Sequence, residues 1–358
     1  MNVENATLNP FKAVDLFCGS GGVTLGLKQA GFTVVSAVDN DPLACQTYHA
    51  NHPTVQLFNE DIRTLDPERL LPHVDGVLDL LVICAPCQPF SSQNRKRSDL
   101  DDRTALLLAT TPFVEKLRPR GIFVENVPGL KNTPILPSFL SALSRMGYTF
   151  TDPVEVDAYD LGVPQRRKRT IFCAIRSEVG RCPDFRVLPR HERSNVRQVI
   201  GNLPPPSSHA EPGVDPLHLH RSHQAITLTR LRHIPKNGGS RSALPPELQL
   251  KCHKKVSPHA FSDTYGRMAW DEPAPTMTTG CTDLTRGRFA HPEEDRSITP
   301  REAARLQTFP DDYQFIGSMG QIARQIGNAV PPRMMRVLAE SLLDTLSAQD
   351  GPRLPTCD

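Results

Sequence analysis

The sequence predicts an α/β fold built around an open, mainly parallel β-sheet. Apolar strand patterns occur at residues 12–17, 78–83 and 121–124. They are followed by a glycine-rich turn, by a cysteine and by a carboxylate, respectively. Because open α/β sheets place their active sites at the carboxyl ends of the strands, these three features are expected at one edge of the sheet.

The first strand pattern leads through Gly19, Gly21 and Gly22 into an amphipathic helix predicted at residues 23–30. Such a turn lets the backbone approach a ligand closely. It is not a Walker loop, which needs Gly-Lys-Ser/Thr, because Val23 and Thr24 follow the last glycine. The nicotinamide fingerprint also fails, since its third glycine position falls on Thr24.

Two acids follow the next strand patterns. A second strand at residues 33–38 ends in Asp39, and Asp61 comes after the short apolar run 55–58. The spacing between the glycine turn and Asp39 is about right for a carboxylate that holds ribose hydroxyls. A glycine turn with successive strand-end acids and no phosphate cradle predicts an adenosine cofactor whose other end is an amino acid.

Cys87 follows the apolar strand 78–83 and opens the polar, cationic stretch 91–97. This setting is typical of a thiolate nucleophile with a lowered pKa beside a polyanion. The alternative is a buried structural cysteine. Glu125 and Asn126 follow strand 121–124 in the same way, and this second chemical group at a matching place favours the nucleophile.

Six short blocks together resemble the DNA (cytosine-5) methyltransferases. They are residues 15–22 (DLFCGSGG), 86–91 (PCQPFS), 125–127 (ENV), 165–169 (QRRKR), 301–307 (REAARLQ) and 325–331 (QIGNAVP). Their order and approximate spacing match over nearly the whole chain, except about residues 180–260. The chain departs from the family at Glu60, where glycine is more usual, and at Cys84, where a small residue without a thiol is usual. The resemblance implies a Rossmann-like S-adenosylmethionine-dependent methyltransferase fold with a smaller, irregular target-recognition domain.

The implied reaction is methyl transfer to carbon 5 of a cytosine that is flipped out of double-stranded DNA. Carbon 5 is a poor nucleophile, so the ring must first gain electron density by addition at carbon 6. Cys87 is expected to make that adduct, and Glu125 to protonate ring nitrogen 3. Arg167 is expected to neutralise the pyrimidine carbonyl, with Gln165 beside it and Asn126 positioning the glutamate. No side chain stands out as the base that removes the carbon 5 proton.

For the cofactor, the resemblance implies S-adenosylmethionine, with Phe17 against the adenine, Asp39 on the ribose and Asp61 at the adenine amino group. The full set of expected cofactor contacts is Phe17, Gly19, Gly21, Asp39, Asn40, Asp61, Ile62, Pro86, Asn328, Ala329 and Val330.

With 358 residues, the chain exceeds a typical single domain. We expect a catalytic and cofactor-binding domain at residues 1–175, a target-recognition domain with a hinge at 176–317, and a segment at 318–348 that returns to the catalytic domain.

Nine unpatterned cysteines argue against a disulfide scaffold, and no second C-x-x-C supports a metal site. Residues 1–20 lack a signal pattern, and no apolar run approaches the ~20 residues that span a bilayer, so a cytoplasmic, nucleoid-associated protein is expected.

The net charge of +2 hides an uneven distribution, because residues 186–255 hold 12 Lys/Arg against 4 Asp/Glu. This basic block coincides with the part that least resembles the family, which favours nucleic-acid contact over a solvated face. The cationic loop 88–103 is suited to closing over the DNA backbone. The expected DNA contacts are Gln88, Ser91, Gln93, Arg95, Lys236, Arg241, Lys254, Lys255, Arg267 and Thr276.

Other functions stay open at this point. A tRNA cytosine methyltransferase would share the fold, but the Cys-Phe-Thr block of that branch is absent. A catalytically silent DNA-binding relative is disfavoured by the presence of Cys87, Glu125 and Arg167. Cys84 and Cys87 form a C-x-x-C, so a dithiol oxidoreductase is a weaker alternative. A role in restriction-modification or phage defence is expected, with a cognate endonuclease acting separately and the protein monomeric on DNA.

Overall fold

The computed structural model describes residues 11–86, 105–189, 191–250 and 263–348. The strands are β1 (Lys12–Leu16), β2 (Thr33–Asp39), β3 (Gln56–Asn59), β4 (Leu80–Ile83), β5 (Gly121–Asn126), β6 (Tyr148–Phe150), β7 (Val154–Asp157) and β8 (Lys168–Arg176). They form one sheet in the order β3-β2-β1-β4-β5-β8-β6, and β7 also pairs with β8. The first five strands are parallel, whereas β8 is antiparallel to β5, β6 and β7.

The helices are α1 (Gly22–Gln29), α2 (Pro42–Asn51), α3 (Leu71–Val74), α4 (Ala105–Leu108), α5 (Thr111–Leu117), α6 (Ile135–Arg145), α7 (Val196–Ile200), α8 (Ala225–His233), α9 (Pro300–Leu306), α10 (Met319–Asn328) and α11 (Pro332–Ser347). No helix within the described residues is both long enough and apolar enough to cross a membrane.

The chain divides into two compact units. The first comprises Met1–Asp157, Lys168–Arg190 and Pro332–Asp358, and it contains the whole sheet. All four residues of β4 are fully buried, as expected for a central strand covered on both faces. The final helix α11 packs against α1, where a Cβ atom on Gly26 would lie 2.5 Å from the carbonyl oxygen of Pro332. Glycine at position 26 therefore allows the two helices to approach closely.

The second unit comprises Ala158–Arg167 and His191–Pro331. Its described part contains short helices and isolated β-bridges, and its apolar core includes Leu231, Ile234 and Tyr265. Helix α9 begins with a capping box, in which Thr299 Oγ1 accepts from the Glu302 amide and Glu302 Oε2 accepts from the Thr299 amide.

These boundaries differ from those expected from the sequence at two places. Residues 158–167 leave the sheet between β7 and β8 and belong to the second unit, where Gln165 forms a parallel bridge with Ala274. Helix α10 also belongs to the second unit, because it packs on α9. Only from Pro332 onward does the chain return to the first unit.

Candidate active site

The glycine turn after β1 has a backbone suited to close approach of a ligand. Gly19 and Gly21 have positive φ angles of 52° and 95°, and Gly21 caps α1. A Cβ atom on Gly19 would meet no heavy atom within 4 Å, so open space lies over the turn. Phe17 also has a positive φ, 62°, which is a strained conformation for so large a side chain. Such strain is concentrated at ligand-binding sites in proteins.

Asp39 is tied to the glycine turn by its carboxylate. Oδ2 accepts from the Gly19 amide at 2.8 Å, and Oδ1 accepts from the Asp41 amide at 2.8 Å. Burial raises the pKa of Asp39, and the two amide hydrogen bonds oppose that shift. The carboxylate is therefore held in one orientation at the carboxyl end of β2.

The other acid expected to bind cofactor, Asp61, has a cationic partner in this structure. Arg63 contacts both carboxylate oxygens, at 3.0 Å and 2.6 Å, and these hydrogen bonds hold the pKa of Asp61 below its ordinary value. Ile62 is 5% exposed and lies in the hydrophobic core, whereas Asn40 is exposed.

These groups fit an adenosine cofactor that ends in an amino acid. The turn offers amide groups and open space, and Asp39 and Asp61 offer carboxylate acceptors at the ends of neighbouring strands. The turn matches neither the Walker loop nor the nicotinamide fingerprint, so a nucleotide with a pyrophosphate fits it less well.

Beside this turn, Asp15 is a buried carboxyl that the sequence analysis did not assign. Its Oδ2 accepts from Thr24 Oγ1 at 2.8 Å, while Oδ1 is buried without a hydrogen-bond donor in the described structure. Burial, and to a lesser extent the charge of Asp39, raises the pKa of Asp15 to about 7, although the Thr24 hydrogen bond opposes the shift.

We predict that Asp15→Asn removes a pH dependence of stability. Between about pH 4 and pH 7, the folded protein keeps a proton on Asp15 that the unfolded chain releases, so the free energy of unfolding falls as the pH rises. Relative to wild type, the variant should gain roughly 3 kcal/mol from pH 5 to pH 7.5, at ~1.4 kcal/mol per pH unit. Urea unfolding at both pH values measures this gain, and parallel shifts of the two proteins would contradict it.

A second cluster lies at the carboxyl ends of β4 and β5. Asn126 Nδ2 donates to the Ala85 carbonyl at 2.9 Å, and its Oδ1 accepts from the Val127 amide at 2.8 Å. Asn126 therefore fixes the backbone that leads from β4 towards residue 87. Pro86 is exposed, and Cys87 lies outside the described residues.

Glu125 is 6% exposed, and its partner is Arg169, near the start of β8. Arg169 Nε lies 2.9 Å from Glu125 Oε1, in a contact that is an ion pair without hydrogen-bond geometry. Arg169 Nη1 donates to the Lys168 carbonyl at 2.7 Å. Nearby, burial raises the pKa of the Cys84 thiol, and the charges of Glu125 and Asp15 add to the effect. Cys84 is therefore a protonated thiol at neutral pH.

The structure does not support the catalytic role expected for Arg167. This residue lies in the second unit, 2% exposed, and its guanidinium donates to the carbonyls of Met277, Gly327 and Ala329. Gln165 is also fully buried, and it donates to Gln307 Oε1 at 2.8 Å. These donors are directed at backbone carbonyls, so Arg167 holds segments of that unit together.

The cationic residue that the sequence analysis missed is Arg169. It belongs to the same QRRKR block, two positions after Arg167. Alternation along a strand places residues 167 and 169 on the same side, so the sequence pattern gave no reason to choose between them. The structure distinguishes the two arginines, because β8 begins at Lys168. Arg169 therefore lies in the sheet next to β7, whereas Arg167 lies outside the sheet.

Two of the residues expected to contact DNA are buried in the structure. Arg267 is wrong as a DNA contact, because it is fully buried and donates to the carbonyls of Leu231, Ile234, His291 and Glu294. Arg241 is 8% exposed, which also disfavours the expected role.

Lys236 and Thr276 keep partly accessible positions. Lys236 pairs with Asp295 at 2.6 Å, and Thr276 Oγ1 donates to the Arg166 carbonyl at 2.6 Å. Of the expected cofactor contacts in this unit, Asn328 is exposed, Ala329 is half-buried and Val330 is 6% exposed. The expected DNA contacts that lie outside the described residues are Gln88, Ser91, Gln93, Arg95, Lys254 and Lys255.

Comparison with known proteins agrees with this geometry. A family model described as C-5 cytosine-specific DNA methylase matches residues 11–344. The chain is 38% identical to the Type II methylase M.HgiDII of Herpetosiphon aurantiacus, over 92% of this chain and 94% of that protein. It is 32% identical to the Type II methyltransferase M1.HphI of Haemophilus parahaemolyticus, over 92% and 86%.

Solved structures share the fold. A prophage-encoded E. coli protein described as a DNA modification methyltransferase superposes with a TM-score of 0.74 at 24% identity, over 94% of this chain and 99% of that one. The Entamoeba histolytica methyltransferase EhMeth gives 0.65 at 15% identity, over 94% and 99%. The predictions of fold, activity and methyl donor are thereby confirmed: the chain belongs to the C-5 cytosine-specific DNA methylase family, as a DNA (cytosine-5) methyltransferase that uses S-adenosylmethionine.

Proposed function

We propose that this enzyme methylates one cytosine, flipped out of a specific duplex sequence, as the modification partner of a restriction endonuclease. The observation that carries the catalytic part is the buried Glu125–Arg169 ion pair, at the same sheet edge as the backbone leading to Cys87. The relatives named as Type II methylases support the biological role. The protein acts in the cytoplasm, as a monomer on the nucleoid DNA.

In the first step, the Cys87 thiolate adds to carbon 6 of the cytosine ring and forms a covalent C–S bond. Electron density moves into the ring towards nitrogen 3, and Glu125 delivers a proton to that atom. When bound, S-adenosylmethionine supplies the electrophilic methyl group that carbon 5 then accepts. Loss of the carbon 5 proton to water, elimination of Cys87 and return of the nitrogen 3 proton to Glu125 restore the ring, the thiolate and the glutamic acid.

Arg169 takes the role that the sequence analysis gave to Arg167. Its Nε pairs with Glu125, Nη1 donates to a backbone carbonyl, and Nη2 has no protein acceptor within the described residues. Nη2 therefore remains available for the pyrimidine carbonyl, where negative charge develops during addition. A fixed cation placed at developing charge is an effective way to stabilise a transition state.

Binding of the cofactor uses the glycine turn and the strand-end acids. Asp39, held by the Gly19 and Asp41 amides, accepts hydrogen bonds from the ribose hydroxyls. Asp61 accepts from the adenine amino group, beside its contact with Arg63. Phe17 packs its ring against the adenine. The remaining contacts proposed for this cofactor are Gly21, Asn40, Ile62, Pro86, Asn328, Ala329 and Val330.

DNA recognition is assigned to the second unit and to loop 88–103. Lys236 and Thr276 remain candidate DNA contacts of the second unit, because both are partly accessible. Within loop 88–103, Gln88 or Gln93 would fill the space that the flipped base leaves. Most of the cationic contacts are expected to bind phosphates and not bases.

Transfer of a labelled methyl group to nucleic acid tests this proposal. Purified protein is offered duplex bacteriophage DNA and bulk tRNA in parallel, with methyl-labelled S-adenosylmethionine. Label is expected in the DNA alone, and bisulfite sequencing should place the 5-methylcytosine in one recurring sequence. Label in tRNA would favour the RNA-modifying alternative, and label in neither would favour the silent relative.

A further inference from the structure

Arg167 joins two segments of the second unit that are far apart in sequence. Nη1 donates to the Met277 carbonyl at 2.9 Å, while Nη2 donates to the Gly327 carbonyl at 3.2 Å and to the Ala329 carbonyl at 3.0 Å. One buried guanidinium therefore holds the backbone at residue 277 and at the end of α10 together. None of these three hydrogen bonds is part of a helix or of a pairing between strands.

Two glutamines extend the same connection. Gln165 Oε1 accepts from the Met277 amide at 2.7 Å, and its Nε2 donates to Gln307 Oε1 at 2.8 Å. Gln307 Nε2 in turn donates to the carbonyls of Ile326 at 2.5 Å and Ala329 at 3.2 Å. We call Gln165, Arg167 and Gln307 the polar clamp.

Direct packing reinforces the polar clamp. A Cβ atom on Gly327 would lie 2.1 Å from the Thr278 carbonyl oxygen and 2.5 Å from the Thr279 amide nitrogen. The end of α10 and residues 278–279 thus meet backbone to backbone, with no room for a side chain at position 327. In addition, the Cys281 thiol lies 3.7 Å from the Ala323 carbonyl on the same helix.

The two joined segments carry different proposed functions. Residues 328–330 lie at the end of α10 and just after it, and they are proposed cofactor contacts. Thr276 is a proposed DNA contact that adjoins Met277. We infer that Arg167 is a positioning residue that couples cofactor binding to DNA binding, by making residues 276–279 and 327–329 move as one body. This inference rests on the proposed function of both segments.

Coupling between cofactor binding and DNA binding can be measured as a ratio of dissociation constants. If cofactor strengthens DNA binding by a certain factor, DNA must strengthen cofactor binding by the same factor. Typical coupling factors are about 5 to 150. Lysine at position 167 keeps the charge but replaces the rigid, planar fork of guanidinium donors by one ammonium group on a flexible stem, so it no longer fixes the two segments at one separation. Arg167→Lys should therefore lower the coupling factor to about 1–2.

The experiment measures the dissociation constant of a cognate duplex by fluorescence anisotropy, with and without saturating S-adenosylhomocysteine. Calorimetry measures the dissociation constant of S-adenosylhomocysteine with and without DNA. Arg267→Lys is the matched control, since Arg267 is equally buried and donates to backbone carbonyls elsewhere in the same unit. The control should lose stability but keep the wild-type coupling factor, whereas a merely structural Arg167 would behave as the control does.

Gly327→Ala provides an independent perturbation if Arg167→Lys does not fold, because the added methyl group must push the two segments apart. A coupling factor that falls in every folded one of these two variants, but not in Arg267→Lys, supports the inference. An unchanged factor in a folded Arg167→Lys or Gly327→Ala protein overturns it, as does a wild-type factor near 1. Failure of the wild type to bind either ligand would instead overturn the proposed function.

Discussion

Replacement of Cys87 by serine is expected to abolish methyl transfer. A serine hydroxyl is hardly ionised at neutral pH and is a far weaker nucleophile than a thiolate, so the rate should fall by on the order of 10⁴-fold or more, as for nucleophile losses in other covalent enzymes. DNA that contains 5-fluorocytosine gives a second readout. Fluorine at carbon 5 blocks the final proton loss, so wild type should form a stable covalent complex in the presence of S-adenosylmethionine, and Cys87→Ser should form none. A complex that survives the substitution would identify another nucleophile.

Cys84→Ser is the matched control for this experiment. Burial and the neighbouring charge of Glu125 raise the pKa of Cys84, so its thiol is protonated and unsuited to nucleophilic attack. The variant should form the covalent complex and methylate DNA at a rate within a few fold of wild type. Loss of methyl transfer with intact DNA binding in Cys84→Ser would instead support a functional dithiol.

The parts of the fold that the sequence predicted correctly depend on local patterns. The strands predicted at residues 33–38 and 121–124 and the helix predicted at 23–30 are set by apolar periodicity, and the observed elements β2, β5 and α1 differ from those bounds by at most two residues. The glycine turn could also be predicted from the sequence, because glycine readily adopts the positive φ angles that Gly19 and Gly21 have in the structure.

The roles of individual arginines could not be predicted from the sequence, because their hydrogen-bond partners are distant in the chain. Arg167 donates to carbonyls 110 and 160 residues away, and only the fold brings those carbonyls to it. Arg241 lies inside the basic block 186–255 yet is 8% exposed, and Arg267, beyond that block, has five acceptors around it and no exposed surface. A charged residue in a basic block is therefore weak support for DNA contact until its burial is known.

Substitution of Arg169 by methionine is expected to lower the rate of methyl transfer by about 10²–10³-fold, the usual effect of removing one group that stabilises developing charge. The reason is that Arg169 both orients Glu125, at 2.9 Å, and presents a further donor to the pyrimidine carbonyl. Formation of the covalent complex with 5-fluorocytosine DNA should slow in parallel. The dissociation constants for DNA and for S-adenosylhomocysteine should change little, since neither depends on charge that develops during addition.

Two comparisons make the Arg169 prediction specific. Lys168→Met removes the neighbouring cation on the opposite face of β8, whose ion pair with Glu155 is exposed, and it should leave the rate within a few fold of wild type. Arg169→Lys keeps a positive charge near Glu125 and should recover part of the lost rate. Because Glu125 and Arg169 act as a unit, adding Glu125→Gln to Arg169→Met should cost much less than the product of the two single effects. Independent, multiplicative losses would show that Arg169 does not act through this pair.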